Sequence, residues 1–273
     1  MLKAIFTNLR TGVVTTRYPV DLAEPPARFR GAPQVRAGSL AEALPPASCC
    51  PSGAITDANG ESPYAIDLGR CVFCGRCAEP TSERGESAIE IGRRFELAVR
   101  NRQHLVLKVA RDADGRMTPR AADTASEDVS AVIRRTLGRS LHLRHLDSGS
   151  CNACDWELTA LLNPVYDVRR LGIDFVASPR HADGVIVTGP VTRNLETAVR
   201  RTYEAVPEPR IVIAVGACAI SGGIVGRNYA SASGVAEVLP VDAYIPGCPP
   251  RPEAIIFGIL LAVGRLHARQ NGT

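Results

Sequence analysis

The chain has 273 residues and a mass of 29.1 kDa, room for one large domain or two ordinary ones. Hydrophobic residues at 45% and charged residues at 22% are globular values, which excludes a disordered or fibrous protein. With 32 basic against 28 acidic residues and only 5% aromatics, it has neither the concentrated positive surface nor the stacking platform that nucleic acid needs, and no nucleic-acid partner is expected.

The opening stretch MLKAIFTNLR lacks the long apolar core and cleavage site of a secretory signal, so a cytoplasmic, reducing setting is expected. The nine cysteines are then metal or redox candidates rather than disulfides. Leu2, Ile5, Phe6 and Leu9 gather on one face of a short helix flanked by Lys3 and Arg10. That face either docks the chain near a membrane-embedded partner without crossing the bilayer, or packs on the chain itself. Up to about residue 38, Pro19, Pro25, Pro26 and Pro33 predict extended or turn-like chain. Short strands are expected at 65–67 and 88–91, a strand or helix over 95–108, and a linker from Asp112. The segment SAVIRRTLGRSLHLRHL reads as a mixed helical-to-extended lead into a second domain.

From Cys151 onward, apolar runs at Ile173–Ala177, Gly184–Thr188, Arg210–Val215 and Ala243–Ile245 alternate with helical stretches at Trp156–Leu162, Asn194–Ala205 and Glu253–His267. This pattern predicts a parallel sheet covered on both faces. The longest apolar run, Ala254–Gly264, is too short to span a bilayer and suits a buried helix. In such sheets ligands sit beyond the carboxyl ends of the strands, and Cys218 and Cys248 fall just past two of those ends.

Cys71, Cys74 and Cys77 form C-x2-C-x2-C, a loop tight enough for three thiolates to converge on one inorganic cluster. Two-cluster ferredoxins use C-x2-C-x2-C-x3-C-P twice, the fourth Cys of each run serving the other run's cluster. Cys50-Pro51 looks like the end of such a first run. The positions that would hold the second cluster are Leu40, Ala43, Pro46 and Thr81, none of them a thiol. The pattern therefore predicts one 4Fe–4S cluster on Cys50, Cys71, Cys74 and Cys77. A zinc site is the alternative, and Cys49 is either a structural thiol or a competitor of Cys50. Downstream, Cys151-x2-Cys154 is followed by Cys218 and Cys248, four thiols whose wide separation fits neither a zinc ribbon nor a thioredoxin pair. The glycines at 216, 222, 223 and 226 match no phosphate-binding motif, and the five histidines show no ligand spacing with one another.

The segments GSCNACDWEL, VTGPVTRN, GACAISGGI and YIPGCPPRPEAI, in that order across 141–273, resemble the small subunit of membrane-bound, energy-converting nickel–iron hydrogenases and the related subunit of complex I. The first part of the chain, including FRGAP near residue 29, resembles the iron–sulfur partner subunit of the same complexes. The complex I subunit has two adjacent cysteines at the first ligand position, whereas this chain has Cys151-x2-Cys154, which favours the hydrogenase branch, including formate hydrogenlyase-type complexes. The resemblance implies an α/β protein. A lead segment and a small α+β ferredoxin-like domain would occupy 1–111, a linker 112–140, and a flavodoxin-like parallel-sheet domain 141–273.

It further implies a second 4Fe–4S cluster, held by Cys151, Cys154, Cys218 and Cys248 next to a partner's active site. The chain would be an electron-transfer subunit of an oxidoreductase with no complete active site of its own. Its partners would be a hydrogenase-like large subunit, other iron–sulfur subunits and membrane subunits that hold it on the inner face of the cell membrane. Glu157 is then a candidate proton relay, or else an acid favoured by its place at a helix N-terminus. Two other functions are carried alongside: the electron-transfer module of a complex I-like quinone oxidoreductase, and a zinc-stabilised assembly scaffold.

Overall fold

The computed structural model describes residues 2–21, 23–37, 44–57, 64–80, 87–111, 117–120 and 140–270. Helix α1 (Leu2–Thr11) opens the chain, as expected. β1 (Pro33–Val35), β2 (Ile55–Thr56), β3 (Tyr64–Asp67), β4 (Ile89–Ile91), β5 (Val106–Arg111) and β6 (Met117–Arg120) follow. β1 pairs antiparallel with β4, and β2-β3-β5-β6 form a second antiparallel sheet. The stretch 95–108 resolves into a short 3-10 turn at Arg102–Leu105 and the start of β5. One correction concerns the expected linker: its residues Met117–Arg120 form a strand paired with β5. The alternation of Met117 and Pro119 with polar neighbours carries too little apolar signal to mark a strand. The rest of 112–139 lies outside the described residues, as do Leu40, Ala43 and Thr81.

The remaining elements are β7 (Leu141–Asp147), α2 (Ala153–Ala160), β8 (Ile173–Phe175), β9 (Gly184–Thr188), α3 (Arg193–Glu204), β10 (Ile211–Val215), α4 (Gly216–Ser221), β11 (Ala243–Ile245) and α5 (Pro252–Gln270). β7 is the extended end of the lead expected there, and residues 130–139 of that lead lie outside the described residues. Leu141 and Leu143 point into the core while His142 and Arg144 do not, which is the period of a strand. The five strands are all parallel, in the order β11-β10-β9-β7-β8, the flavodoxin-like winding. β9 and β10 are buried at every residue, the mark of a sheet covered on both faces. The winding reverses between β7 and β9, which opens a crevice at their carboxyl ends.

α5 covers one face through Ile255, Ile256, Ile259 and Val263, all withdrawn from water, each contributing about 1.5–3 kcal/mol. Pro252 at its start has the fixed φ of a first helical position. Among the described residues no helix is long and apolar enough to cross a membrane. The two lobes share a core: Ile66 and Leu105 belong to the same buried cluster as Val185, Val187 and Val212. Val99 and Tyr244 also exchange backbone hydrogen bonds, at 3.1 and 2.8 Å. This packing fixes the two cysteine loops relative to each other.

Candidate metal centres

β7 ends at Asp147, and that carboxylate folds the loop beyond it. Its Oδ1 accepts the N–H of Gly149 at 2.9 Å and of Ser150 at 2.7 Å. Buried Ser148 donates to the Thr188 carbonyl at 2.5 Å and accepts the Val191 N–H at 3.1 Å, fastening the loop to the end of β9. Cys151 sits on this loop, and Cys154 in the first turn of α2. Cys218 is on α4, directly after β10, and Cys248 is in the loop after β11. The Ala217 N–H donates to the Gly247 carbonyl at 2.8 Å, tying those two loops together.

Glycine keeps the space around these thiols open. A Cβ on Gly216, whose φ is +88°, would stand 2.6 Å from Cys154 Sγ. One on Gly223, φ +56°, would stand 2.9 Å from Cys218 Sγ. Only a residue without a side chain tolerates both the backbone and the approach. Burial raises the Cys154 thiol above its ordinary value, and Cys218, Cys248 and Cys151 add to the shift. Cys218 is raised by burial, then by Cys248 and Cys151, and Cys248 by burial and Cys151. Burial and neighbouring thiols thus disfavour the ionised forms of Cys154, Cys218 and Cys248, a cost that a cationic guest would offset.

The N-terminal set is built the same way. Asp67, at the end of β3, accepts from the amides of Arg70 at 3.1 Å and Cys71 at 3.0 Å through its carbonyl, and from the Gly69 N–H at 2.9 Å through Oδ1. Its Oδ2 pairs with Arg102 at 2.6 Å. Phe73 and Gly75, at φ 54° and 87°, turn the loop, and Arg30 donates to the Cys74 carbonyl at 2.6 Å. The Phe73 N–H points at Cys71 Sγ, 3.3 Å away, and the Ala54 N–H at Cys50 Sγ, 3.2 Å away. Burial pushes Cys71 up to about 12; the Phe73 amide opposes it, and Cys77, Cys50 and Cys74 add to it. Cys77 is pushed up to about 12 by burial, then by Cys49, Cys74 and Cys50. Cys50 differs: burial raises it, but hydrogen bonds from the Ser52 hydroxyl and the Ala54, Ser52 and Ile55 amides bring it below its ordinary value. Of Cys50, Cys71 and Cys77 it is the one whose thiolate is favoured. Cys49 lies beside the same group.

The two loops face each other. Ser221 on α4 donates to the Gly69 carbonyl at 3.0 Å, two residues before Cys71. A cavity of about 150 Å³ is lined by Val72 and Phe73 from one loop and by Gly247, Cys248 and Arg251 from the other. Arg251 was not singled out in the sequence. Its guanidinium is held by the Glu253 carboxylate at 2.7 and 2.8 Å and lies over the Phe95 and Phe29 rings. Glu157 is half-buried on α2, its carboxyl raised by burial and by Glu253, with Arg251 opposing.

All-thiolate sets suit iron–sulfur clusters. Among the described residues, no group of three or more His, Cys, Asp or Glu side chains is arranged to hold one metal ion. Zinc needs its sulfurs about 2.3 Å from a single centre, whereas a cubane spreads four thiolates over four irons. The thiols with amides aimed at Cys50 and Cys71, and the thiols with glycine-kept space at Cys154 and Cys218, are donor sets that fit a cluster.

A flavodoxin-like domain with four cysteines at the strand ends, backed by a smaller lobe with a second cysteine loop, defines a redox subunit of the α/β class. Residues 151–262 match the family described as NADH ubiquinone oxidoreductase, 20 Kd subunit, and the chain belongs to that family. It is 40% identical over 166 residues to formate hydrogenlyase subunit 7 of Escherichia coli, covering 59% of this chain and 65% of that one. It is 46% identical over 136 residues to the "Probable membrane-bound hydrogenase subunit mbhJ" of Pyrococcus furiosus, covering 50% of this chain and 81% of the relative. An NADH-quinone oxidoreductase subunit of Geotalea daltonii is 45% identical over 118 residues, 43% of this chain and 69% of its own.

Proposed function

We propose that the chain relays single electrons inside a multisubunit oxidoreductase, to or from a hydrogenase-like large subunit. Cys50, Cys71, Cys74 and Cys77 would hold one 4Fe–4S cluster, and Cys151, Cys154, Cys218 and Cys248 a second. Bound clusters supply one-electron chemistry at a potential set by burial, charge and hydrogen bonds to sulfur. The observation that carries the reading is the small cavity lined by Val72 and Phe73 from one cysteine loop and by Gly247 and Cys248 from the other, which supports the two sets as neighbours. The protein's part is to hold the loops in register through Ser221, Val99 and Tyr244 and to aim amides at the thiolates. Cys49 then packs beside the first set without serving it.

Cys151 and Cys248 are exposed, and so are Trp156, Ile224, Val225 and Tyr229 on the chain around the C-terminal set. Large apolar side chains left in water beside a redox site support a partner that covers them. Membrane subunits and other iron–sulfur subunits complete the proposed assembly and hold this chain peripherally on the inner face of the membrane. Glu157 would carry a proton near the C-terminal set, a role that its raised carboxyl supports. The Cys151-x2-Cys154 spacing supports the hydrogenase branch over a complex I-like quinone module.

The test is anaerobic reconstitution with iron and sulfide analysis and electron paramagnetic resonance. About 8 iron and 8 sulfide per chain are expected. Cys77→Ser should remove only the N-terminal signal and Cys154→Ser only the C-terminal one. Zinc without labile sulfide, or one substitution abolishing both signals in a folded chain, would overturn the reading.

A further inference from the structure

The N-terminal lobe brings five thiols to a place where a cubane takes four, and Cys49 is the surplus. Cys49, Cys50 and Cys77 all pack, partly buried, against the cluster that contains Tyr64, Ile66 and Leu105. Cys49 ends a 3-10 turn, Ala47–Cys49, and Cys77 stands in another, Arg76–Ala78. Both turns are pinned to the lobe. The Ala47 N–H donates to Asp57 Oδ1 at 2.8 Å, and the Pro45 carbonyl accepts the buried Tyr64 hydroxyl at 3.0 Å. The Cys77 carbonyl accepts the Ser87 hydroxyl at 2.7 Å, and that hydroxyl accepts the Ile89 N–H at 3.1 Å. Cys50 Sγ turns toward its own loop, with the Ala54 N–H at 3.2 Å and the Ser52 hydroxyl at 3.6 Å. Cys49 sits by Cys77 instead. Burial raises the Cys77 thiol, and of its neighbours Cys49 raises it most, ahead of Cys74 and Cys50. Burial likewise raises the Tyr64 hydroxyl, with Cys49 and then Cys77 the strongest neighbours. The thiols that act on Cys71 are Cys77, Cys50 and Cys74. Cys49 thus stands outside the four, on the side of Cys77.

We propose that Cys49 and Cys77 are a thiol–disulfide site that closes when the N-terminal set is without its cluster and opens again on reduction. The inference rests on the proposed cluster for what otherwise occupies Cys77. A thiolate bonded to iron is withheld from exchange. Once the cluster is lost, Cys77 is released beside a thiol that holds no metal. The co-reactant is a small-molecule disulfide of the glutathione class. One protein thiolate attacks it and expels one small thiolate, and the second attacks the mixed disulfide and expels the other. Two protein S–H bonds are lost and one protein S–S bond forms. The small disulfide leaves as two thiols, carrying the two electrons and two protons. The product takes Cys77 out of the ligand set, so an oxidised set takes no cluster until it is reduced. The bond also keeps Cys77 from the sulfinic and sulfonic steps, which thiols do not reverse.

The experiment equilibrates the folded full chain, either loaded or stripped of metal by a chelator, in glutathione buffers from reducing to oxidising. Alkylation and peptide mapping by mass spectrometry then read the pairing. A link between Cys49 and Cys77 should form in the stripped chain and be missing from the loaded one. The linked chain should take no N-terminal cluster, and a dithiol reductant should restore loading. Cys49→Ser should leave Cys77 as a mixed disulfide with glutathione, and in reducing buffer it should load as the unaltered chain does. The map of the unaltered chain decides even where this variant misfolds. Cys77 linked to Cys74 or Cys50 with Cys49 unlinked, or no link in any buffer, overturns the proposal and leaves the two-cluster reading standing. A link between Cys49 and Cys77 beside a full N-terminal cluster signal overturns both, because Cys77 then holds no iron. A link in a chain that never takes an N-terminal cluster overturns the cluster reading and keeps the thiol pair.

Discussion

Gly216→Ala separates the folding role of the C-terminal loops from their metal-holding role. The alanine would carry φ +88° and a methyl 2.6 Å from Cys154 Sγ. An ordinary contact there is about 3.5–4.0 Å, so the thiol must retreat by about an ångström. The left-handed backbone costs about 1–2 kcal/mol, and turning Cys154 away from its rotamer about 0.5–1.5 kcal/mol more. The cluster-free chain should thus lose about 1.5–3.5 kcal/mol, roughly 3–14 °C in Tm for a chain of this size, and still fold. In the loaded chain the thiol has no freedom to retreat, because its position is fixed by what it binds. The variant should therefore keep the N-terminal cluster and lose the C-terminal one. Gly223→Ala, with a gentler φ of +56° and 2.9 Å to Cys218 Sγ, should act less severely. Gly226→Ala, at φ +62° with nothing within 4 Å of the added methyl, should show the backbone cost alone. Iron analysis and cluster spectra on the three variants give the ranking. Full iron content and an unchanged C-terminal signal in Gly216→Ala would refute the idea that this glycine keeps the ligand's space.

On the N-terminal side, Asp67→Asn removes the charge that pairs with Arg102 and weakens the acceptor for Gly69, so the loop before Cys71 should loosen. Loss of the N-terminal cluster with the C-terminal one retained is the expected spectrum. Tyr18→Phe deletes a buried hydroxyl that donates to Glu96 at 2.6 Å. Hydrogen bonds to charged groups contribute about 1.5–3 kcal/mol, which denaturant unfolding would detect. The Asp147 carboxyl is raised by burial, but the Ser150 and Gly149 amides outweigh that and hold it below the usual range. Its contribution is present above the unfolded value near pH 4 and fades as pH falls through the lower folded value. The stability difference between the native chain and Asp147→Asn should therefore shrink under acid. A difference that grows on acidification would contradict this.

The sheet was legible where the chain is apolar on both faces: the runs at 184–188 and 243–245 are β9 and β11 to the residue. At β7, the strand at the winding reversal, only an extended end to a mixed lead was legible, because His142, Arg144 and His145 interrupt its apolar character. Arg144 and His145 lie where the strand's carboxyl end lines an open cavity. The cysteine spacings separated two sets of four, and the electrostatic neighbours of Cys71 and Cys154 fall within those same sets. Spacing could not rank Cys49 against Cys50, because adjacent residues share every long-range spacing; local amides distinguish them. His145, Asp155 and Arg251 were invisible for a related reason. Their meaning comes from partners 10, 33 and 156 residues away, at Asp155, Thr188 and Phe95, contacts that only the folded chain creates.

The placement of the retained N-terminal thiols follows from the same packing. Of the thiols in the N-terminal lobe, Cys71, Cys74 and Cys77 lie on the loop that Ser221 ties, through the Gly69 carbonyl, to the C-terminal cysteines. Of the four vacated positions, Pro46 is described, and its carbonyl accepts the Cys49 N–H at 3.0 Å as part of a 3-10 turn leading into Cys50. A proline there stiffens the approach to a ligand where the two-cluster pattern would place a ligand itself. In a single chain whose lobes share a core, the loop of Cys71, Cys74 and Cys77 has fixed geometry with respect to the C-terminal cysteines.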